Sequence, residues 1–125
     1  MTNRAVLIEK INSIQNCLKR IHDTIKGNLE SLYNLDTQDI VVLNLQRAVQ
    51  LVIDIASNVI STEKLGIPQS LKDVFLILER NKILNNDISK KMQKMVGFRN
   101  IAVHDYQAID PEILKSIISL HLKDI

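Results

Sequence analysis

The chain has 125 residues and is 46% hydrophobic; Leu, Ile and Val supply 44 residues, against four aromatics, one Cys, three Gly and two Pro. That is too apolar for a disordered chain, too poor in Gly and Pro for an all-β sandwich or barrel, and too poor in Cys for a disulfide framework or a Cys-based zinc cluster. A net charge of +2 and so few aromatics exclude a broadly basic nucleic-acid surface and an RNA-stacking platform, although a small local basic site stays possible.

The periodicity is helical throughout and predicts an all-α fold. Leu7, Ile11, Ile14, Leu18, Ile21 and Ile25 form an apolar seam along Arg4–Lys26, and Gly27 is a natural stop. Val41, Leu45, Ala48, Val52, Ile55 and Val59 repeat the spacing in a second helix, with Asp36 or Thr37 as N-cap. Val42, Val49, Ile53, Ala56 and Ile60 run beside that seam. The second helix is therefore apolar over more than one face, as expected of a helix central in its bundle or one that also packs on a partner.

Thr62–Gln69, with Gly66 and Pro68, reads as a loop. Ser70 caps a short helix over about Leu71–Asn81, and Asp87 caps a fourth from Ile88 to around His104. Asp110-Pro111 restarts a helix as N-cap and first-turn proline. That last helix is expected to bury Ile113 or Leu114, Ile117, and Leu120 or His121. The economical architecture is an up-and-down helical bundle of four main helices plus a short extra one, a single domain over residues 1–125. The longest uninterrupted apolar run, Val74–Leu78, is too short for a transmembrane span, so no membrane association is expected. The start of the chain is broken by Glu9, Lys10, Asn12 and Ser13 and holds no signal-peptide core. A single thiol agrees with a cytoplasmic location.

The three His are His22, His104 and His121, and no metal-ligand spacing or Gly-rich phosphate loop occurs. No metal and no cofactor are therefore expected. His22 and His121 lie among polar neighbours near helix ends and read as surface or cap residues. One stretch differs: Arg99-Asn100-Ile101-Ala102-Val103-His104-Asp105-Tyr106 crowds a fixed cation, an amide, an imidazole, a carboxylate and a phenol into the end of an aliphatic helix. Asn100 and His104 are four apart and share a face; Arg99 and His104 differ by about 140° around the axis, so only the reach of Arg lets both heads serve one cleft. The plain alternative is a capping cluster in which His104 and Asp105 close the helix and Arg99 pairs with a carboxylate.

This stretch matches R-x-x-x-x-H-x-Y and resembles the signature of the HepT-like branch of the HEPN superfamily. Met95-Val96-Gly97-Phe98 before it and Ile109-Asp110-Pro111 after it are similar to that branch as well. So are Arg47-Ala48-Val49-Gln50, Asp54-Ile55-Ala56, Gly66-Ile67-Pro68 and Asp73-Val74-Phe75 with Leu78. The resemblance covers nearly the whole chain in order. It implies the HEPN fold, a homodimer, and a metal-independent endoribonuclease toxin of a type VII-like toxin–antitoxin pair. Arg99 and His104 would be catalytic, Asn100 a polar support beside them, and Tyr106 the residue to which a minimal nucleotidyltransferase antitoxin adds AMP. Lys90, Lys91 and Lys94, in the turns before Arg99, could track an RNA backbone or simply form a solvated face. Arg47 and Asp54, seven apart, read as structural support. An alternative within the same resemblance is a non-catalytic HEPN subunit that binds nucleotide or substrate for a nucleotidyltransferase; the intact Arg–His–Tyr set favours the nuclease.

The residue types suit the chemistry. Metal-free RNA cleavage must deprotonate the 2′-OH, stabilise a pentavalent phosphate and protonate the 5′-oxygen. Imidazole, with an ordinary pKa of about 6.5, can act as base or acid. A guanidinium fork can hold two phosphoryl oxygens. One imidazole cannot easily do both proton transfers in one step, and a two-fold dimer would supply a second.

Overall fold

The computed structural model describes residues 4–104 and 109–118. Its helices are α1 (Arg4–Ile25), α2 (Leu35–Thr62), α3 (Leu71–Arg80), α4 (Asn86–His104) and α5 (Pro111–Ser116), with a short 3-10 helix, Leu29–Tyr33, between α1 and α2. Among the described residues this is the expected all-α arrangement.

The ends of the elements follow from local chemistry. Lys26 and Gly27 take positive φ, 52° and 76°, and turn the chain out of α1 where glycine carries no Cβ penalty. The 3-10 helix was not foreseen; Asn28 caps it by accepting from the Glu30 amide at 3.1 Å. The cap of α2 is Asn34, not Asp36 or Thr37. Its side-chain oxygen accepts from both of their amides, at 2.9 and 3.2 Å, so those residues sit inside the first turn. Ser70 caps α3 as expected, accepting from the Asp73 amide. The start of α4 is capped by Asn85, which accepts from the Ile88 amide at 2.8 Å, whereas Asp87 lies in the first turn and pairs with Lys91 at 3.3 Å. Asp110 caps α5 by accepting from the Glu112 amide, with Pro111 beginning the helix.

α2 is the central helix. Ten of its 28 residues are buried: the second apolar line, Val42, Val49, Ile53, Ala56 and Ile60, is covered throughout, whereas the seam is covered at Val41, Leu45 and Ala48 and only partly at Val52, Ile55 and Val59. By length and composition α2 could cross a bilayer, a point that counting uninterrupted runs missed. Its apolarity is accounted for by burial on several sides within the bundle. One side packs on α1, where Ile14 and Cys17 meet Ala48. Burial raises the Cys17 thiol above its ordinary pKa, against the lowering effects of Arg47 and Arg20. The larger core joins Ile21, Leu32, Leu45, Phe75, Val96 and Leu114.

The α1 seam is only partly buried. Ile14, Ile21 and Ile25 are covered, but Ile11 is 42% exposed, because it borders an open cavity and not a packed neighbour. There an apolar cavity of about 420 Å³ opens between Ile11 and Leu18 of α1, Ala56 and Val59 of α2, Phe75 of α3, and Ile88 and Met92 of α4. Two levels set the relative direction of the helices: the C-terminal half of α2 shares this cavity with the N-terminal half of α4, while α5, which follows α4, is bonded through Lys115 to Glu30 of the 3-10 helix that precedes α2, so α2 and α4 run antiparallel. Leu114 of α5 and Ile117 at its C-cap are buried while Ile113 is half exposed; Leu120 and His121 lie outside the described residues.

Candidate active site

The C-terminal turns of α4 carry the site. Met92, Met95, Val96 and Ala102 are buried and define its inward face, and Arg99 lies at the centre of that face, seven residues from Met92. An Arg there can reach water only by bending its stem round the helix. Arg99 does so: the residue is half-buried, its Nε is fully covered, and Nη1 donates to Asn100 Oδ1 at 3.2 Å. The guanidinium is thereby drawn toward the side of α4 that bears Asn100 and, one turn on, His104. His104 is the last residue of α4 and is exposed. The structure thus draws Arg99 to Asn100, on the side of α4 that His104 shares. Arg99 does not take the carboxylate partner of the capping-cluster alternative among the described residues. Asp105 and Tyr106 lie outside the described residues, between His104 and Ile109.

The three lysines separate. Lys90 and Lys94 are exposed; Lys91 is half-buried and paired with Asp87. Lys90, Gly97 and His104 fall seven apart, so Lys90 shares a line with His104 two turns away. Lys94 instead borders an apolar cavity of about 370 Å³ between Phe98 and Ile101 of α4, Ile113 of α5 and Ile117 at its C-cap. His22 is exposed in the last turn of α1, as expected of a surface histidine. Phe75 and Phe98 are core residues, 2% and 6% exposed.

Two features escaped the sequence reading. Asp54 supports the bundle as read, pairing with Lys10 of α1 at 3.8 Å, but it also accepts from Gln50 Nε2 at 2.9 Å; Arg47 is exposed. Tyr33, an unremarked aromatic, donates its hydroxyl to Glu112 and lies under the Lys115 ammonium, tying the 3-10 helix to α5. The i to i+4 spacing of Gln50 and Asp54 was visible in the sequence; the Tyr33 contact spans 79 positions and was not. Among the described residues no group of three His, Cys, Asp or Glu comes together to hold a metal ion.

Residues 14–125 match the family described as ribonuclease HepT-like. The mRNA nuclease HepT of Shewanella oneidensis is 40% identical over 119 residues, 95% of this chain and 90% of that protein. The tRNA nuclease HepT of Aphanizomenon flos-aquae is 33% identical over 79 residues, covering 63% of this chain and 54% of the relative. Among solved structures, a tri-AMPylated Shewanella oneidensis HEPN toxin in complex with its MNT antitoxin superimposes with a TM-score of 0.90 at 40% identity, over 98% of this chain and 92% of that one. A toxin–antitoxin structure with AMP-PNP gives a TM-score of 0.91 at 39% identity, over 97% and 92%. The chain belongs to the ribonuclease HepT-like family of HEPN toxins.

Proposed function

We propose that this protein is a metal-independent endoribonuclease toxin that works as a homodimer and is silenced by AMP addition to Tyr106. Its partner is a minimal nucleotidyltransferase antitoxin. The observation that carries the reading is the Arg99 guanidinium bonded to Asn100 on the side of α4 that ends in His104. The nuclease activities and the AMPylated complex of the relatives support it.

In this mechanism Arg99 grips two non-bridging phosphoryl oxygens and stabilises the charge that builds in the pentavalent transition state. Asn100 steadies the fork. One His104 takes the 2′-OH proton and the second, from the other subunit, gives a proton to the departing 5′-oxygen. The products are a 2′,3′-cyclic phosphate and a 5′-hydroxyl. His104 is exposed at the end of α4 and the half-buried Arg99 is drawn toward its side of the helix, which suits a cleft completed by a second copy. Lys90, on the His104 line, would track the RNA backbone.

The test is cleavage of a mixed RNA substrate by wild type and His104→Ala in excess EDTA, with analysis of the ends. Activity in wild type alone, with cyclic phosphate ends, is expected. Equal activity in both proteins, or a 5′-phosphate product, refutes the mechanism.

A further inference from the structure

Among the described residues, two buried side-chain atoms lack a hydrogen-bond partner: Gln50 Oε1 and Arg99 Nε. One is an acceptor and the other a donor. An unsatisfied buried polar atom costs about 1–3 kcal/mol, so a pair of complementary orphans calls for an explanation.

Both residues lie past the same cavity, toward one end of the bundle. Ala56 of α2 and Met92 of α4 line one cavity, and the two helices are antiparallel. From Ala56 back to Gln50 is six residues, about 9 Å, and from Met92 on to Arg99 is seven, about 10.5 Å, at the rise of an α-helix. Gln50 and Arg99 therefore both lie beyond that cavity toward the same end of the bundle, within about one helical turn of each other in height. Arg99 lies on the inward face of α4, and Gln50 is half-buried, one turn from the buried Ile53.

The orientation of the Gln50 amide is fixed by its other contact. Its Nε2 donates to Asp54 Oδ1 at 2.9 Å, and an ionised carboxylate can only accept, so the amide cannot turn its oxygen that way. Asp54 is in turn held by Lys10. Oε1 is left pointing away from Asp54 as a fixed, neutral acceptor.

We propose that Gln50 is the positioning residue for Arg99, its Oε1 accepting from Arg99 Nε–H when the guanidinium engages a phosphoryl group. This deepens the nuclease reading and rests on it for its kinetic consequence. Arg99 has five N–H donors. Gln50 would take Nε–H and Asn100 takes one on Nη1, which leaves three for phosphoryl oxygens. A neutral amide has an advantage over a carboxylate here: it orients the guanidinium without neutralising the charge that the transition state needs.

Two measurements on the full-length protein test this. The first is exchange of the Arg99 Nε–H resonance in ¹⁵N-labelled protein, assigned by its loss in Arg99→Lys. With a phosphodiester substrate analogue added, slow exchange in wild type that becomes fast in Gln50→Leu supports the contact; unchanged exchange overturns it, whether or not the protein cleaves RNA. The second is single-turnover RNA cleavage. Gln50→Leu should lower kcat roughly ten- to a hundredfold with KM within about twofold, and should add no further loss to Arg99→Ala. A further loss in the double variant, like that of a residue acting independently of Arg99, overturns the proposal. A wild type that cleaves nothing defeats the nuclease reading and leaves the Gln50–Arg99 contact to the exchange measurement.

Discussion

The Lys115 ammonium lies 2.8 Å from the Glu30 carboxylate and 4.5 Å from the centre of the Tyr33 ring, so one side chain of α5 is held by both ends of the 3-10 helix. Glu112, one turn before it, stands 3.4 Å from the same ammonium and accepts from the Tyr33 hydroxyl. This cluster fixes the element that follows residues 105–108.

The hydrogen bond to Glu30, with the charges of Glu112 and Glu30, raises the Lys115 pKa above its ordinary value. A raised pKa in the folded state means a contribution to stability that is complete below the unfolded pKa, about 10.4, and is lost as pH rises through the folded value. Thermal unfolding from pH 8 to pH 11.5 should therefore show a steeper alkaline loss in wild type than in Lys115→Met. Parallel curves would refute the coupling.

A second charged group gives the opposite sign. Glu79 accepts from Asn86 Nδ2 at 3.0 Å, and this bond, then Ser89, lowers its carboxyl pKa. Its contribution is present above the unfolded pKa, about 4.3, and fades as pH falls through the lowered value. Asn86→Ala should reduce the difference in melting temperature between pH 6 and pH 3. An unchanged difference would show that the bond does not couple to folding.

The core predicts larger effects. Phe75 is 2% exposed and lies among α3, α2 and α4, so Phe75→Ala should cost about 3–5 kcal/mol in urea unfolding. Phe75 borders the apolar cavity, which the truncation enlarges, so the cost should fall toward the upper end of that range. A loss under about 1 kcal/mol would mean that the bundle collapses into the space.

Much of the fold was legible because period and caps agree. Ser70, Asp110 and Pro111 each stand alone as the obvious terminator, and all three act as read. The reading erred where two capping residues compete. Asn34 and Asn85 each precede a nearby Asp, and which one caps depends on where the chain enters the helix. The seam rule also overestimated Ile11, since periodicity identifies a face but not whether a neighbour reaches its end. In the site, Arg99 and His104 declared themselves by chemical type. Gln50 did not, because its significance lies in an antiparallel register with α4 that spacing within one helix cannot reveal.

The Asn34 finding is itself testable. Asn34→Ala removes the acceptor of two first-turn amides and should destabilise the protein by about 1 kcal/mol, whereas Thr37→Ala should change it by less than half of that. Urea midpoints at constant slope decide the matter. The reverse order would return the cap to Thr37.

The proposed off-switch distinguishes the two tyrosines. AMP on Tyr106 would bring a phosphodiester anion two residues beyond His104, where it would compete with RNA for Arg99. Tyr33 is exposed, but its hydroxyl donates to Glu112 and its ring lies under Lys115, so transfer there would have to break the tether of α5. Coexpression with an MNT-type nucleotidyltransferase antitoxin and intact-mass measurement should give AMP adducts on wild type and on Tyr33→Phe, and none on Tyr106→Phe. Tyr106→Phe should keep its nuclease activity and arrest growth despite the antitoxin. An adduct that persists in Tyr106→Phe and disappears in Tyr33→Phe would move the switch from Tyr106 to the 3-10 helix. Silencing would then have to act through the contact between Tyr33 and α5 instead of at Arg99.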